Sequence, residues 1–169
     1  MNRLLIAFAF TIFFSSHVFS QSGLKVGSPA PAFSGYGMDG TCNDLSELRG
    51  SVVVLTFWST KCEICRHEFP KVNQIVEKYS GRNVVFLALT VENEARVETY
   101  TRRNRLAPRI LPNSFGVVLQ YADRTKDGNL DMGFPSFFVI DQEGVIQYRS
   151  SGFDKTSILA STLDRLVTK

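Results

Sequence analysis

The sequence contains few side chains that bind metals or carry out redox chemistry. Only three cysteines and two histidines occur among its 169 residues. Cys62 and Cys65 form a CxxC pair, but no second CxxC and no histidine pair exist to complete the four ligands of a structural zinc site. His67, on a helix, would point away from both cysteines. These absences argue against a zinc or copper centre, and Arg66 excludes covalent haem attachment because that motif needs histidine there.

The chain also lacks a strong excess of either charge, internal repeats and low-complexity segments. Its 19 basic and 16 acidic residues leave a formal net charge of +3. So small an excess gives no indication of a nucleic-acid partner or an anionic membrane surface. The composition, 44% hydrophobic and 21% charged, is ordinary for a globular protein. We therefore expect one domain with a single substantial core.

The N-terminus has the composition of an export signal. The positively charged segment Met1–Arg3 precedes an apolar run from Leu4 to Phe14, which is too short for a comfortable membrane span. Val18–Ser20 places short residues where a signal peptidase reads, and no cysteine follows that would indicate a lipoprotein anchor. We expect residues 1–20 to be a signal peptide and residues 21–169 a domain in the periplasm or another extracytoplasmic compartment. An uncleaved signal that tethers the protein to the membrane is the alternative.

The stretch from Val52 to Pro70 is the most informative part of the chain. Val52 to Phe57 is a short run of β-branched and aromatic residues, typical of a strand buried on both faces. The CxxC follows directly, and the next segment has helical spacing. We predict that its buried stripe is Cys65, Phe69, Val72, Val76 and Tyr79, and that its exposed residues include Arg66, Glu68, Lys71, Glu77 and Lys78. The cysteine pair therefore lies at a strand-to-helix junction.

This position favours thiol chemistry, because the start of a helix stabilises an anion and cysteine is nucleophilic only as the thiolate. Cys62 is predicted to be the more exposed and reactive thiol. Cys65, one turn later, would lie close enough to attack a mixed disulfide formed at Cys62. Two thiols so placed suit disulfide exchange. We expect Cys42 to stay single, as a half-buried strand residue rather than a third redox thiol.

The remaining apolar runs predict strands that alternate with helices. In chain order they indicate a small hairpin from Phe33 to Asn43, one helical turn from Asp44 to Leu48, a strand from Val84 to Leu89, a polar helix from Glu94 to Arg105, a short strand or helix from Phe115 to Tyr121, a polar loop from Asp123 to Met132, a hairpin from Phe137 to Arg149 and a helix from Lys155 to Val167. The last helix would bury Ile158, Leu159, Thr162, Leu163 and Leu166. This order predicts an α/β fold with a parallel sheet at its core.

Taken together, the motifs resemble the thioredoxin superfamily, and more narrowly its exported TlpA- and ResA-like branch. The matching residues are FW before the CxxC, Glu68 and Pro70 after it, LRG beside the buried strand, Glu92 beyond the second strand, FP before the third, and the final hairpin and helix. They cover nearly all of residues 24–167. The resemblance implies a thioredoxin-like three-layer sandwich, with a mixed central sheet, helices on both faces and an N-terminal β-hairpin extension.

The resemblance also implies roles for particular residues. Cys62 would be the attacking thiol and Cys65 the resolving thiol. Pro135 matches a cis-proline that lies against the disulfide, and the backbone of Phe134 would pair with the bound substrate chain.

Further residues near the pair are assigned by the same resemblance. Trp58 would border the site, and Glu92 matches a carboxylate that tunes the cysteines in ResA-like proteins; a solvated loop acid is its alternative reading. Lys61, counted with the substrate-binding residues, stands where many relatives have tryptophan, and Ile64 where many have proline. Lys61 favours the attacking thiolate and Glu63 opposes it. These departures leave the partner and the reduction potential open.

Other functions match parts of the same sequence. A thiol peroxidase shares this fold, but Leu55 stands where its proline should be, although Ser59 fits. The stretch from Asp123 to Phe134 reads partly as a calcium loop but ends on phenylalanine instead of a bidentate glutamate, so a solvated loop is expected. A run of arginines is interpreted as a solvated face that could also dock an acidic partner: Arg102, Arg103, Arg105 and Arg109.

The sequence thus predicts an exported thiol–disulfide oxidoreductase that needs no organic cofactor and no metal. Its partners would be protein disulfides or dithiols and an upstream thiol reductant, with no nucleic acid. By resemblance, we expect it to reduce exported cysteines, such as those destined for haem attachment in cytochrome c maturation. The alternatives are an oxidant or isomerase, and a redox-inert binding domain in which the CxxC disulfide is a poor structural staple because it closes so short a loop.

Overall fold

The apolar runs of the sequence form the strands of one five-stranded mixed sheet in the computed structural model, which describes residues 23–167. The elements are β1 (Ser34–Tyr36), β2 (Cys42–Asp44), β3 (Val52–Phe57), α1 (Glu63–Lys78), β4 (Val84–Leu89), α2 (Glu94–Thr101), β5 (Arg109–Leu111), α3 (Phe115–Tyr121), β6 (Asp123–Arg124), β7 (Leu130–Asp131), β8 (Ser136–Ile140), β9 (Ile146–Ser151) and α4 (Thr156–Val167). The predicted export signal, residues 1–20, lies outside the described residues. Within residues 23–167, no helix is both long and apolar enough to cross a membrane.

Strand β3 lies at the centre of the sheet, whose strand order is β5-β4-β3-β8-β9. All six of its residues are buried, which confirms the strand predicted from the apolar run. It pairs parallel with β4 and antiparallel with β8, so that Phe57 lies opposite both Leu89 and Ser136. The ends of β3 and β4 and the beginning of β8 therefore meet at one edge of the sheet.

Helices cover both faces of the sheet, as the thioredoxin-like architecture implies. On one face, side chains of α1 and α4 pack against alternate residues of β3 such as Val52 and Val54. On the other face, α3 packs against Val53, Leu55 and neighbouring strand residues. The β1–β2 hairpin forms a separate two-stranded sheet, which confirms the predicted N-terminal extension.

Two assignments of buried helix faces were wrong. Glu68, predicted to be exposed, is only 1% exposed, because it neighbours Phe69 on the wide buried stripe of α1 and Lys71 pairs with one of its two carboxylate oxygens. Ile158, predicted to face inward, is 51% exposed, because Thr156 occupies the inner position at the start of α4.

The structure also corrects several predictions outside the central strands. The segment from Phe115 to Tyr121, for which either a short strand or a helix was predicted, is a helix. In contrast to the prediction, α2 ends at Thr101 rather than Arg105, and the loop after Asp123 contains the short β6–β7 pair. Strand β5 was not predicted because prolines flank it, but as an edge strand it tolerates them. Cys42 is exposed rather than half-buried, since alternation along β2 turns Asn43 inward instead.

Leu163 and Ile158 provide a test of how α4 packs. Leu163→Ala should lower the free energy of unfolding by about 2–5 kcal/mol, because the fully buried side chain would leave a cavity. Ile158→Ala, on the exposed side of the same helix, should change it by only about 0.5 kcal/mol. Urea unfolding of the two variants measures both values. Equal losses would show that α4 packs through a different face.

Candidate active site

Three segments that are distant in sequence meet at one edge of the sheet. They follow β3 (residues 58–62), follow β4 (residues 90–93) and precede β8 (residues 134–135). Because β3 and β4 are parallel and β8 runs the other way, the two strand ends and the one strand start lie side by side. The topology therefore brings the CxxC, Glu92 and Pro135 to the same edge, as their predicted roles require.

Cys62 and Cys65 form a disulfide at the start of α1, with Cα atoms 5.2 Å apart. Cys62 is the N-cap residue, and its Sγ accepts a hydrogen bond from the backbone N–H of Cys65 at 3.0 Å. Cys62 is partly exposed, whereas Cys65 is completely buried. An incoming disulfide can thus reach Cys62, while Cys65 stays behind it in the core.

Hydrogen bonds to Ser59 also hold the backbone that leads into Cys62. The backbone N–H of Cys62 donates to the carbonyl of Ser59 at 3.0 Å, and the N–H of Lys61 donates to the Ser59 hydroxyl at 3.2 Å. Lys61 itself is exposed. Residues 59–62 therefore form a hydrogen-bonded turn that carries the chain from the sheet into the helix.

Trp58 lies beneath the site, completely buried. Its ring contacts Phe69 edge to face, with centroids 5.3 Å apart, and Tyr100 with centroids 5.2 Å apart. Neither the Trp58 indole nitrogen nor the Tyr100 hydroxyl has a hydrogen-bond partner among residues 23–167, and burial raises the pKa of Tyr100. Trp58 thus supports the site from below and has no surface for a substrate to contact in this state.

Glu92 binds the turn that precedes Cys62. Its carboxylate accepts hydrogen bonds from the Thr60 backbone N–H at 2.8 Å, the Thr60 hydroxyl at 2.7 Å and the Ser59 hydroxyl at 3.1 Å. Burial raises its pKa, but these hydrogen bonds and one from Thr90 outweigh burial and place the pKa below its usual value. The side chain is only 11% exposed, so it is not a solvated loop acid.

A second carboxylate near the cysteines is Glu68, which the sequence interpretation placed in solvent. It lies one helical turn after Cys65 on the buried side of α1. One of its oxygens accepts a hydrogen bond from Lys71 at 2.9 Å, and the other has no partner among the described residues. Lys71 also reaches Asp154 at 3.3 Å. The signal that could have revealed Glu68 is its spacing of three residues from a buried cysteine.

Pro135 is buried immediately before β8, and the Phe134–Pro135 peptide bond is cis, as the resemblance implies. Phe134 is partly buried and contacts the apolar clusters on both faces of the sheet. The carbonyl of Pro135 accepts a hydrogen bond from Gly152 at 2.9 Å. These contacts fix the segment at the edge where the disulfide lies.

A groove of about 410 Å³ opens beside Cys62, between the start of α1 and the end of α2. Its lining residues are Thr60, Cys62, Glu63, Arg66, Thr99, Tyr100, Arg103 and Asn104. Neither in this groove nor in the rest of residues 23–167 is a cluster of three or more histidine, cysteine or acidic side chains arranged to hold a metal ion.

Comparisons with known proteins agree with this geometry. The Redoxin family model matches residues 25–167. The thiol-disulfide oxidoreductase ResA of Geobacillus thermodenitrificans is 30% identical over 145 residues, which cover 85% of this chain and 79% of that protein. The thioredoxin-like protein YneN of Bacillus subtilis is 28% identical over 127 residues, covering 75% of this chain and 72% of that protein.

Solved structures show the same fold. A crystal structure from Chlorobium tepidum, described as a thiol:disulfide interchange protein DsbE, has a TM-score of 0.74 and 25% identity, and the match covers 86% of this chain and 99% of that one. A solution structure described as a protein disulfide isomerase from Bacteroides thetaiotaomicron has a TM-score of 0.75 at 20% identity, over 86% of this chain and 92% of that one, and supports the fold alone. The chain belongs to the Redoxin family, and it is a ResA-like thiol–disulfide oxidoreductase of the thioredoxin superfamily.

Proposed function

We propose that this protein reduces disulfides of other proteins outside the cytoplasm, with Cys62 as the attacking thiol and Cys65 as the resolving thiol. The observation that carries the assignment is the difference in exposure: Cys62 is partly exposed at the cap of α1, and Cys65 is completely buried behind it. A substrate sulfur can approach the first cysteine but not the second.

The reaction follows from this arrangement. The Cys62 thiolate attacks one sulfur of the substrate disulfide, and the other substrate sulfur leaves as a thiolate that takes up a proton. Cys65 then attacks the Cys62 sulfur of the mixed disulfide, releases the second substrate thiol and leaves the Cys62–Cys65 disulfide. Two electrons pass to the substrate, so an upstream dithiol must reduce the pair again before the next turnover.

Two buried or half-buried carboxylates favour the reducing direction. Glu68 on α1 and Glu92 at the turn both oppose a thiolate at the pair, whereas neither acts on the neutral disulfide. The reduced state is thereby destabilised relative to the oxidised state, which lowers the reduction potential. Glu68 is 1% exposed, so water screens its charge less than that of the exposed Lys61, which acts in the opposite sense.

Other observations support the proposed location of the protein and its proposed substrates. The export-type composition of residues 1–20 and the likeness to ResA proteins support an extracytoplasmic position for residues 21–169. Resemblance to the same branch supports exported cysteines as substrates, including those destined for haem attachment in cytochrome c maturation.

Trapping experiments test the roles of the two cysteines. Cys65→Ser should accumulate mixed disulfides with protein partners, because the attacking thiol remains and no thiol releases the product. Both variants carry Cys42→Ser as well, because the exposed free thiol of Cys42 would form adducts of its own. In that background Cys62→Ser should not accumulate mixed disulfides, because its one remaining cysteine, Cys65, is completely buried. The adducts are counted on non-reducing gels after acid quenching. Equal trapping by both variants would contradict the assignment.

The reduction potential of the Cys62–Cys65 pair tests whether the protein reduces or oxidises its substrates. Equilibration of residues 21–169 with dithiol buffers should give a value near or below about −250 mV, in the thioredoxin range. Glu68→Gln should raise it by roughly 30 mV, which corresponds to a tenfold change in the exchange equilibrium, because a buried negative charge is removed.

Glu63→Gln is the matched control for that measurement. Glu63 lies between the two cysteines, but its side chain is 64% exposed and paired with Arg66, so its removal should shift the potential much less. A wild-type value above about −180 mV would make the protein an oxidant or isomerase. Equal shifts in the two variants would refute the effect assigned to burial of Glu68.

The pH dependence of stability tests the structural role of Glu92. At pH 7, Glu92→Gln should lose about 1–3 kcal/mol of unfolding free energy, because charged hydrogen bonds to Ser59 and Thr60 are weakened. Folding lowers the pKa of Glu92 below 4.5, so its contribution is present above that pH and is lost as the pH falls through the folded value. Urea unfolding at pH 7 and at a pH below the folded pKa of Glu92 should show that the stabilities of the wild type and Glu92→Gln converge in acid. A constant difference would contradict the role of the charge.

A further inference from the structure

The groove beside Cys62 has an unbalanced positive charge. Three charged side chains line it: Glu63, Arg66 and Arg103. Glu63 and Arg66 form an ion pair with each other. Arg103 is exposed and has no ion pair or side-chain hydrogen bond among residues 23–167. The net charge that the groove presents next to the attacking sulfur is therefore that of Arg103.

A second groove adjoins this one and shares its unpaired arginine. A neighbouring groove of about 510 Å³ shares Arg103 and Asn104 with the first and also contains Arg102 and Arg105. No carboxylate lines it; Glu98 and Glu77, which pair with Arg102 and Arg105 at 2.9 and 3.0 Å, lie outside it. The two grooves thus form a path that leads from Cys62 along the end of α2, with Arg103 at the point where they join.

We propose that this path binds an acidic segment of the substrate protein, with a carboxylate of that segment on Arg103 while the adjacent disulfide reacts at Cys62. The inference rests on the proposed function and specifies its substrate class: protein disulfides flanked by aspartate or glutamate. Charge complementarity selects this occupant, because Arg102 and Arg105 are each paired with a glutamate, whereas Arg103 is a positive charge on the path without a partner among residues 23–167.

Arg103 has the position of a specificity-determining residue rather than a reacting group. It lies in the segment after α2, where a partly exposed groove allows a guanidinium to pair with a carboxylate at two points. An exposed pair of this kind contributes modestly, so the expected preference for acidic over neutral substrates is about two- to fivefold in rate. The preference should be larger at low salt, since the screening length falls from about 30 Å at 0.01 M to about 8 Å at 0.15 M.

Synthetic peptides with one cysteine in a mixed disulfide with thionitrobenzoate provide the test. The cysteine is flanked by glutamates in one peptide and by glutamines in the other. Every protein in the test, including the one called wild type, carries Cys42→Ser, because that exposed free thiol would also attack the peptides. Release of coloured thionitrobenzoate then reports attack by the reduced Cys62–Cys65 pair. The measured quantity is the ratio of the two second-order rate constants within each variant, so that differences in overall activity cancel. The wild-type ratio should be about two to five at low salt and fall towards one at 0.15 M.

Arg103→Glu should bring the ratio to one or below, and Arg103→Gln to about one. Arg165→Glu is the matched control. Arg165 is also an exposed arginine without an ion pair among the described residues, but it lies in the last turn of α4. The next residue, Leu166, accepts a hydrogen bond from Gln142, which follows β8 at the end of the sheet opposite Cys62. This control changes the net charge by the same amount and should keep the wild-type ratio.

The outcomes separate this inference from the function on which it rests. A wild-type ratio of one with ordinary exchange rates, an unchanged ratio in both Arg103 variants, or an equal loss in Arg165→Glu would each overturn the acidic path while leaving the oxidoreductase intact. Failure of the wild-type protein to release thionitrobenzoate from either peptide would overturn both proposals.

Discussion

The site depends on one hydrogen bond, which the backbone N–H of Cys65 donates to the sulfur of Cys62. It makes a cysteine the cap of α1, in a position usually taken by an oxygen side chain. The cap works only because the buried strand β3 delivers the chain to the edge of the sheet and α1 begins there at once. The strand, the reactive sulfur and the helix are therefore consecutive parts of one structural unit, in which the exposed cysteine precedes the buried one.

Two carboxylates counteract the stabilisation of a thiolate that the start of α1 provides. The free N–H groups of α1 stabilise an anion at Cys62, whereas Glu68 inside the helix and Glu92 at the preceding turn oppose it. Both acids have partners that hold them in place: Lys71 binds Glu68, and Ser59 and Thr60 bind Glu92. In the proposed mechanism, the reduction potential is set by a balance between backbone dipoles and side-chain charges. The substrate path proposed beyond Arg103 lies outside that balance, so specificity and redox strength can vary separately.

Much of the fold follows from local patterns in the chain. The apolar run from Val52 predicted a strand buried on both faces, and the spacing after the CxxC predicted α1. Turn residues and apolar runs also predicted the N-terminal hairpin and the β8–β9 pair. The mixed three-layer arrangement was implied by the resemblance to the thioredoxin superfamily, whereas the order of the elements alone predicted a parallel sheet. Errors arose where burial depended on neighbours: Glu68 is inside, Ile158 outside, and Cys42 exposed.

The sequence by itself determined the chemistry, because the CxxC and its strand-to-helix context are contained within a few consecutive residues. Tertiary structure decided what surrounds that chemistry. Glu92 reaches the turn before Cys62 across 32 residues of sequence, and β5 forms between two prolines because β4 offers an edge to pair with. Helical spacing fixes which side chains share a face, but the elements packed against that face determine whether those side chains are buried. The charge of the groove likewise depends on which acids lie close enough to neutralise each arginine.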